Sequence, residues 1–452
     1  MGTGRPLGPA YAACRLGRMK LRAVKGTADR LPADHPRWNR VIEVAGRVLE
    51  RAGIQPIATP VFEFAEVFER SVGEAADLVV QKEMYTFDDR GGRRLTLRPE
   101  FTAGVLRAYV EHGMHTWPSP VKLWSHGPAF RAENVQRGRF RQFHQVNLEI
   151  VGTGAPVADA EAIALFADVL RELGLRGVRV ALGSVGDPAD RARYNAYLRD
   201  ALAPVAQDLS ETSRERLRLN PMRVLDAKDA RDQALVAPLK RPFDFLNPEA
   251  RAHFDAVAAC LDAWGVAYDV DPGIVRGLDY YRRTAFEIHA EGIGAQSALG
   301  GGGRYDGLVS QLGGPDVPGI GWALGMERVL DALEQAGVAA PVPDGPTLYL
   351  VPMDDEAVME AAGLARDLRA HLRVEHGYAR RAPGKGLRDA DRAGARYAGL
   401  LGARERAAGV VQLKHLASGQ ETQVAWGDLL RTIERDTLAD AVPGTGEPPR
   451  AG

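Results

Sequence analysis

The sequence predicts an α+β fold in two parts: a large unit of hairpin-linked strands and helices with a helical insertion, then a small C-terminal α/β domain. Three observations predict it. Strand-like runs come in pairs around turns or polar loops, at residues 85–97 and 121–151, which is how antiparallel hairpins are written. Strand patterns vanish between about 185 and 260, where charged helical segments dominate. A Pro/Gly-rich linker at 337–346 then leads into a stretch in which strands and helices alternate, the pattern of a small domain with its own core.

Length and composition agree with this division. A chain of 452 residues holds roughly two to four domains, each able to bury a core. No apolar run approaches the roughly 18 residues of a membrane span. The two cysteines, Cys14 and Cys260, suit a reducing cytosol and cannot build a multi-thiolate metal site. A net charge of −1 argues against a broad, nonspecific nucleic-acid binder but leaves room for a local basic patch.

The N-terminus is rich in arginine, and Asp29 is its first acid. Import signals share that bias but carry serines, and none occurs before Ser71. Residues 1–18 are expected to be a disordered extension or to precede the true start, with Met19 as initiator. Residues 35–53 form the first helix, with Trp38, Val41, Ala45, Val48 and Leu49 at helical spacing. Ile54 to Phe62 reads as a strand whose internal Pro60 places it at an edge or bulge. Tyr85 to Leu97 is a hairpin about Gly91-Gly92, 101–112 a helix, and Val121–Phe130 and Gln142–Val151 two strands joined by an arginine-rich loop.

After the helical stretch, strands return near Gly273, pass through a glycine run and give way to a helix from Trp322 to Ala336. In the C-terminal part, strands at 348–351, 397–401 and 410–413 alternate with helices at 357–372 and 387–394, and a last helix follows. Residues 435–452 are Pro/Gly-rich at their end and are expected to be disordered.

The residues with chemical potential sit at the junctions of these elements. In Leu97-Arg98-Pro99-Glu100-Phe101-Thr102 a strand gives way to a helix; taken alone, Glu100 and Thr102 read as a helix cap. Arg131 opens the loop that carries Gln136, Arg139 and Arg141, and Gln145 and Glu149 lie on the strand beyond. Arg131 can fork onto a phosphate, and the loop arginines can meet further phosphates or an RNA end; a solvated hairpin with a charged tip is the plainer alternative. Glu149 falls among Val146, Leu148 and Ile150, where a bare carboxylate needs a partner. His144 is read as structural, because no metal-ligand companions share its spacing. Arg276-Gly-Leu-Asp-Tyr280-Tyr281 joins a cation, a small residue and two phenols, and Gly300 to Gly303 permit close backbone approach. No Gly-Lys-Ser/Thr phosphate loop is present. Arg328 falls on the first turn of a helix, where a surface cation is equally common.

Together and in this order these motifs resemble one family. Pro60 in its strand, Phe130-Arg131 with its hairpin, and Gly325-Met326-Glu327-Arg328 resemble the three signatures of class II aminoacyl-tRNA synthetases. Arg276–Tyr281 and Gly301–Leu308 resemble the two further signatures of the histidyl-tRNA synthetases, and the likeness runs from about 21 to about 434. It implies a class II catalytic domain over 19–336, an antiparallel sheet flanked by helices and interrupted by the helical insertion, and an α/β anticodon-binding domain over 347–434. It also implies a cytoplasmic homodimer that uses L-histidine, ATP with Mg2+ and tRNA(His), with no protein-ligated structural metal.

Residue by residue, the resemblance implies that Glu100, Thr102 and Gln145 hold the histidine α-amino group and that Glu149 and Tyr281 face the imidazole, beside Tyr280. Arg131 and Arg276 would meet the carboxylate and the α-phosphate as the catalytic pair; Arg139 and Arg328 would contact ATP, and Gln136 and Arg141 the tRNA acceptor end. The chemistry asks for this set. The amino acid's own carboxylate is the nucleophile, so no general base is needed, and fixed arginines offset the repulsion between two anions. Histidine's polar ring lets a matched site reject other amino acids, so no editing domain is expected.

Residues 371–415 carry ten Lys/Arg and four Asp/Glu, a net of +6, which suits phosphate contacts. Phe101 stands where the family usually has glycine, and Asn134-Val135 also depart from its pattern; these are expected to alter pocket access or loop conformation. The rival readings are the regulatory subunit of ATP phosphoribosyltransferase, which resembles these enzymes, binds histidine without catalysis and lacks the anticodon-binding domain, and a non-catalytic nucleotide- or RNA-binding protein.

Overall fold

The computed structural model describes residues 22–72, 83–135, 138–227, 229–274, 280–291, 298–341 and 345–441. The expectations for residues 1–18, Met19, Gln136, Arg276 and residues 442–452 lie outside these. The chain divides into two compact units at Pro341/Val342.

The first unit begins with helix α1 (His35–Arg51), which buries Trp38, Val41, Val44, Ala45, Val48 and Leu49. These recur every three or four residues and form one stripe, and each large side chain contributes about 1.5–3 kcal/mol on burial. The expected strand 54–62 is broken: only β1 (Gln55–Pro56) pairs with a neighbour, β2 (Phe62–Phe64) joins another sheet, and Pro60 lies between them. The buried Arg98 explains the break. Its guanidinium donates to the carbonyls of Thr59 (3.0 Å) and Pro60 (3.4 Å), acceptors that a strand ladder would otherwise use.

Helix α2 (Ala65–Val72) follows, then the hairpin β3 (Thr86–Asp88) and β4 (Arg94–Leu97), which with β2 makes a three-stranded sheet ordered β2-β4-β3. Asp89 closes the turn by accepting the N–H groups of Gly91 (2.8 Å) and Arg93 (2.9 Å). Next come α3 (Thr102–Glu111), the long strands β5 (Val121–Phe130) and β6 (Gln142–Val151), and helix α4 (Pro156–Leu173).

The helical stretch contains α5 (Pro188–Leu202), α6 (Glu211–Leu219), α7 (Ala230–Val236) and α8 (Pro248–Ala263), entered from β7 (Arg179–Ser184) and left through β8 (Tyr268–Val270). It is not one body. Leu202, Leu209, Val224 and Val236 form a cluster of their own, whereas Phe254, Val257 and Leu261 of α8 pack into the main core with α4. Strands β9 (Arg282–His289), β10 (Gly300–Arg304) and β11 (Gly319–Gly325) complete the sheet, and α9 (Met326–Gln335) ends the unit. The helix expected from Trp322 therefore starts at Met326. Trp322 belongs to β11, and its indole N–H donates to Ala162 in α4 at 2.8 Å.

The eight-stranded sheet has the order β1-β5-β6-β11-β10-β9-β7-β8. Its six inner strands are antiparallel, and the edge pairs β1–β5 and β7–β8 are parallel. Helices α1, α4, α8 and α9 cover one face in a single large core. The glycine run forms a strand: a Cβ on Gly302 would lie 2.0 Å from the Gly321 carbonyl oxygen, so only glycine lets β10 and β11 approach this closely.

The second unit has a five-stranded sheet, β13 (Val374–His376), β12 (Leu348–Pro352), β14 (Tyr397–Leu401), β15 (Val410–His415) and β16 (Glu421–Ala425), in that spatial order. Its first three strands are parallel and its last two are joined antiparallel. The short strands β13 and β16 escape the sequence reading. Helices α10 (Asp355–Leu368), α11 (Pro383–Arg392), α12 (Ala403–Ala408) and α13 (Leu429–Ala441) accompany them, the last running past residue 434.

Candidate active site

Strand periodicity sets the floor of the site. On β6, Val146, Leu148 and Ile150 enter the helix-covered core, so Gln145, Asn147 and Glu149 share the opposite face. On that face a cleft of about 200 Å³ opens, lined by Glu100, Thr102, Arg131, Arg139, Gln145, Tyr280, Tyr281, Tyr305 and Arg328 among others.

Glu149 lies just beneath it, 2% exposed. The hydroxyls of Thr102 and Tyr305 each donate to one of its carboxyl oxygens at 2.6 Å. Burial pushes its pKa up to about 8, against those two hydrogen bonds, and the nearby Glu100 adds to the rise. The carboxyl is therefore largely protonated at neutral pH. Gly321 on the neighbouring strand makes room for it: a Cβ there would fall 2.0 Å from a Glu149 oxygen.

Glu100 caps α3 by accepting the N–H groups of Thr102 (2.5 Å) and Ala103 (2.9 Å). Burial raises its pKa, opposed by these bonds and by Arg131. The capping reading and the cleft-lining one thus apply to the same side chain. Tyr280 hydrogen-bonds with Thr102, and burial lifts its phenol well above the usual range. Its ring sits 4.9 Å from that of Tyr281 and 6.3 Å from that of Tyr305, centroid to centroid. Two polar atoms at the floor, Gln145 Oε1 and Asn147 Nδ2, are buried and find no hydrogen-bond partner among the described residues. Such atoms are costly unless a ligand or water completes them.

Three arginines also line the cleft. Arg131 donates through Nε to the Pro99 carbonyl (3.0 Å), which leaves the rest of its fork for the cleft. Arg139 pairs at 3.4 Å with Glu133. Arg328 donates to the carbonyls of Ala298 (2.9 Å) and Gly138 (3.4 Å). Burial and the neighbouring Arg139 push its pKa down, so an entering anion relieves both.

Comparison with known proteins places the chain in a family. The histidyl-tRNA synthetase family model matches residues 26–329, and an anticodon binding domain model matches 347–436. The chain belongs to the histidyl-tRNA synthetase family. It is 56% identical over 409 residues to a histidine–tRNA ligase of Thermus thermophilus, covering 90% of this chain and 97% of that protein. It is 53% identical over 425 residues to one of Deinococcus radiodurans, covering 91% and 99%. Among solved structures, apo histidyl-tRNA synthetase of S. aureus matches with a TM-score of 0.77 at 34% identity, covering 92% of this chain and all of that one.

Of the residues picked out from the sequence by likeness to the synthetase family, Glu100, Thr102, Arg131, Arg139, Gln145, Tyr280, Tyr281 and Arg328 converge on the one cleft, with Glu149 directly below. Arg141 is not among its lining residues; its stem packs against Gly26. Arg276 and Gln136 lie outside the described residues. Phe101 does not restrict the cleft: it is 1% exposed, beneath the Arg98 guanidinium at 3.9 Å from the ring centroid. Asn134 and Val135 likewise do not line it. Sequence reasoning gave Tyr305 no role, although it falls inside the second histidyl signature, and it passed over Asn147, whose place two residues from Glu149 on an alternating strand was the available signal.

Proposed function

We propose that this cleft activates L-histidine with ATP and passes the histidyl group to tRNA(His). The observation that carries the reading is a buried carboxyl, held by two hydroxyls directly beneath the cleft, together with three arginines that line it. In the first step a histidine carboxylate oxygen attacks the α-phosphorus of ATP, the bond to the β-phosphate bridging oxygen breaks, and pyrophosphate leaves. Arg131, Arg139 and Arg328, with Arg276, neutralise the anions that must meet, and pre-set cations in a desolvated site do this without reorganisation. Glu100, Gln145 and Thr102 supply acceptors for the α-ammonium group. Tyr281 and Glu149 offer the imidazole one partner at each nitrogen, and Glu149, able to hold or release its proton near neutrality, can serve as donor or acceptor. In the second step a terminal ribose hydroxyl of the tRNA attacks the acyl carbon and AMP leaves.

Mg2+ enters as part of the nucleotide substrate. Among the described residues no group of three or more His, Cys, Asp or Glu could hold a metal ion, and Mg2+ is commonly held through substrate phosphates with few protein ligands. We assign 19–336 to catalysis, with Gln136 and Arg141 toward the tRNA acceptor end, and 347–434 to anticodon binding, in a cytoplasmic homodimer. Among the described residues no helix is long and apolar enough to cross a membrane. Histidine-dependent ATP–pyrophosphate exchange on the purified chain tests the reading. Exchange with histidine alone among the amino acids is the expected result; histidine binding without exchange would refute it in favour of a regulatory subunit.

A further inference from the structure

The chain ahead of α1 is tied to the site from behind. The Gly26 carbonyl accepts the backbone N–H groups of Arg141 (2.8 Å) and Gln142 (3.2 Å), where the loop between β5 and β6 returns to the sheet. Four residues on, the Arg30 guanidinium donates to Nε2 of His144. The same guanidinium lies 4.0 Å from the Trp38 ring centroid, and that indole meets the imidazole edge-on at 5.0 Å. With Nε2 accepting, the neutral imidazole carries its proton on Nδ1. Nδ1 then donates to one Glu327 oxygen at 2.9 Å, while the His144 backbone N–H donates to the other at 3.0 Å.

Both oxygens of Glu327 are thus held by one residue of β6, although Glu327 borders the cleft. Glu327 is in the first turn of α9, and the next residue is Arg328. Arg328 in turn joins the loop at Gly138 to the approach of β10 at Ala298.

We propose that Arg30, His144 and Glu327 form a clamp that positions Arg328 against the nucleotide, which makes the segment before the first helix a working part of the site. His144 is a positioning residue: it touches no substrate and acts through the start of α9. A guanidinium gripped, among the described residues, by two carbonyls can swing when the helix turn beneath it is released, and misplacement of a charged donor weakens what it binds. The inference rests on the reading of the cleft as an ATP site.

The test measures KM for ATP in histidine-dependent exchange, alongside the Kd of histidine without ATP, for His144→Ala, His144→Asn and Arg30→Ala. His144→Ala is expected to raise KM for ATP about tenfold, the scale of a lost hydrogen bond to a charged group, and to leave the histidine Kd unchanged. Arg30→Ala, which frees the tautomer but keeps the ring, gives a smaller rise in the same direction. His144→Asn, whose amide N–H takes the place of Nδ1, recovers most of the loss. Unchanged KM for ATP in both alanine variants overturns the clamp, and so does a parallel loss of histidine affinity, which marks general damage. If His144→Ala does not fold, the partly exposed Arg30 and the asparagine variant decide the matter by the same two measurements. A wild-type chain without exchange overturns the ATP reading itself, a result distinct from any of these.

Discussion

Glu149→Gln should abolish a pH dependence of stability that the wild-type chain must show. In the folded protein burial raises the Glu149 pKa from 4.5 to about 8. Between those values the native state keeps a proton that the unfolded chain has released. Stability therefore falls as pH rises from about 4.5 to about 8 and levels off above. At 1.36 kcal/mol per unit the displacement amounts to about 5 kcal/mol, a ceiling, because relaxation and water entry around a buried charge reduce the penalty. Glutamine cannot ionise, yet its amide still meets Thr102 and Tyr305. The stability difference between Glu149→Gln and wild type should grow in the variant's favour by several kcal/mol, up to that ceiling, between pH 5 and pH 8.5. Urea unfolding at each pH, followed by tryptophan fluorescence, reads it out, because Trp38, Trp117, Trp124, Trp264 and Trp322 all report on the first unit. Parallel profiles for the two proteins would refute the argument that Glu149 is buried and protonated in the free enzyme.

Three further outcomes follow from the same geometry. Tyr305→Phe removes one of the two donors to Glu149; its pKa should rise further, and KM for histidine should increase about tenfold, as measured by exchange kinetics across pH. Arg328→Ala should lower kcat/KM for ATP by about 10²–10³-fold, the cost of losing one preorganised charge donor, while histidine affinity measured by calorimetry stays level. Asp159 accepts from His253 (2.8 Å) and Thr284 (2.5 Å) and pairs with the fully buried Arg304. Asp159→Ala takes away one of the two carboxylates that Arg304 meets, leaving Asp306 at 3.0 Å, and should cost up to about 3 kcal/mol, the low end for breaking a buried ion pair, visible as a drop in the urea midpoint.

Much of this protein is legible in the chain itself. Strands β5 and β6 and helices α1 and α3 follow from local periodicity, because burial on one face imposes a repeat of 2 or 3.6 residues wherever the element sits. The same alternation already separates Gln145, Asn147 and Glu149 from Val146, Leu148 and Ile150, and the ordered motifs suffice to name the family. Tertiary structure alone decides who meets whom. Glu149 finds Tyr305 156 residues away and Thr102 47 residues away. His144 finds Glu327 183 residues away. Phe101 turns under Arg98 instead of into the cleft. These contacts depend on the order in which strands lie side by side, β6 next to β11 and β11 next to β10, and strand order is fixed by the closing of one shared core, to which no short window of sequence has access.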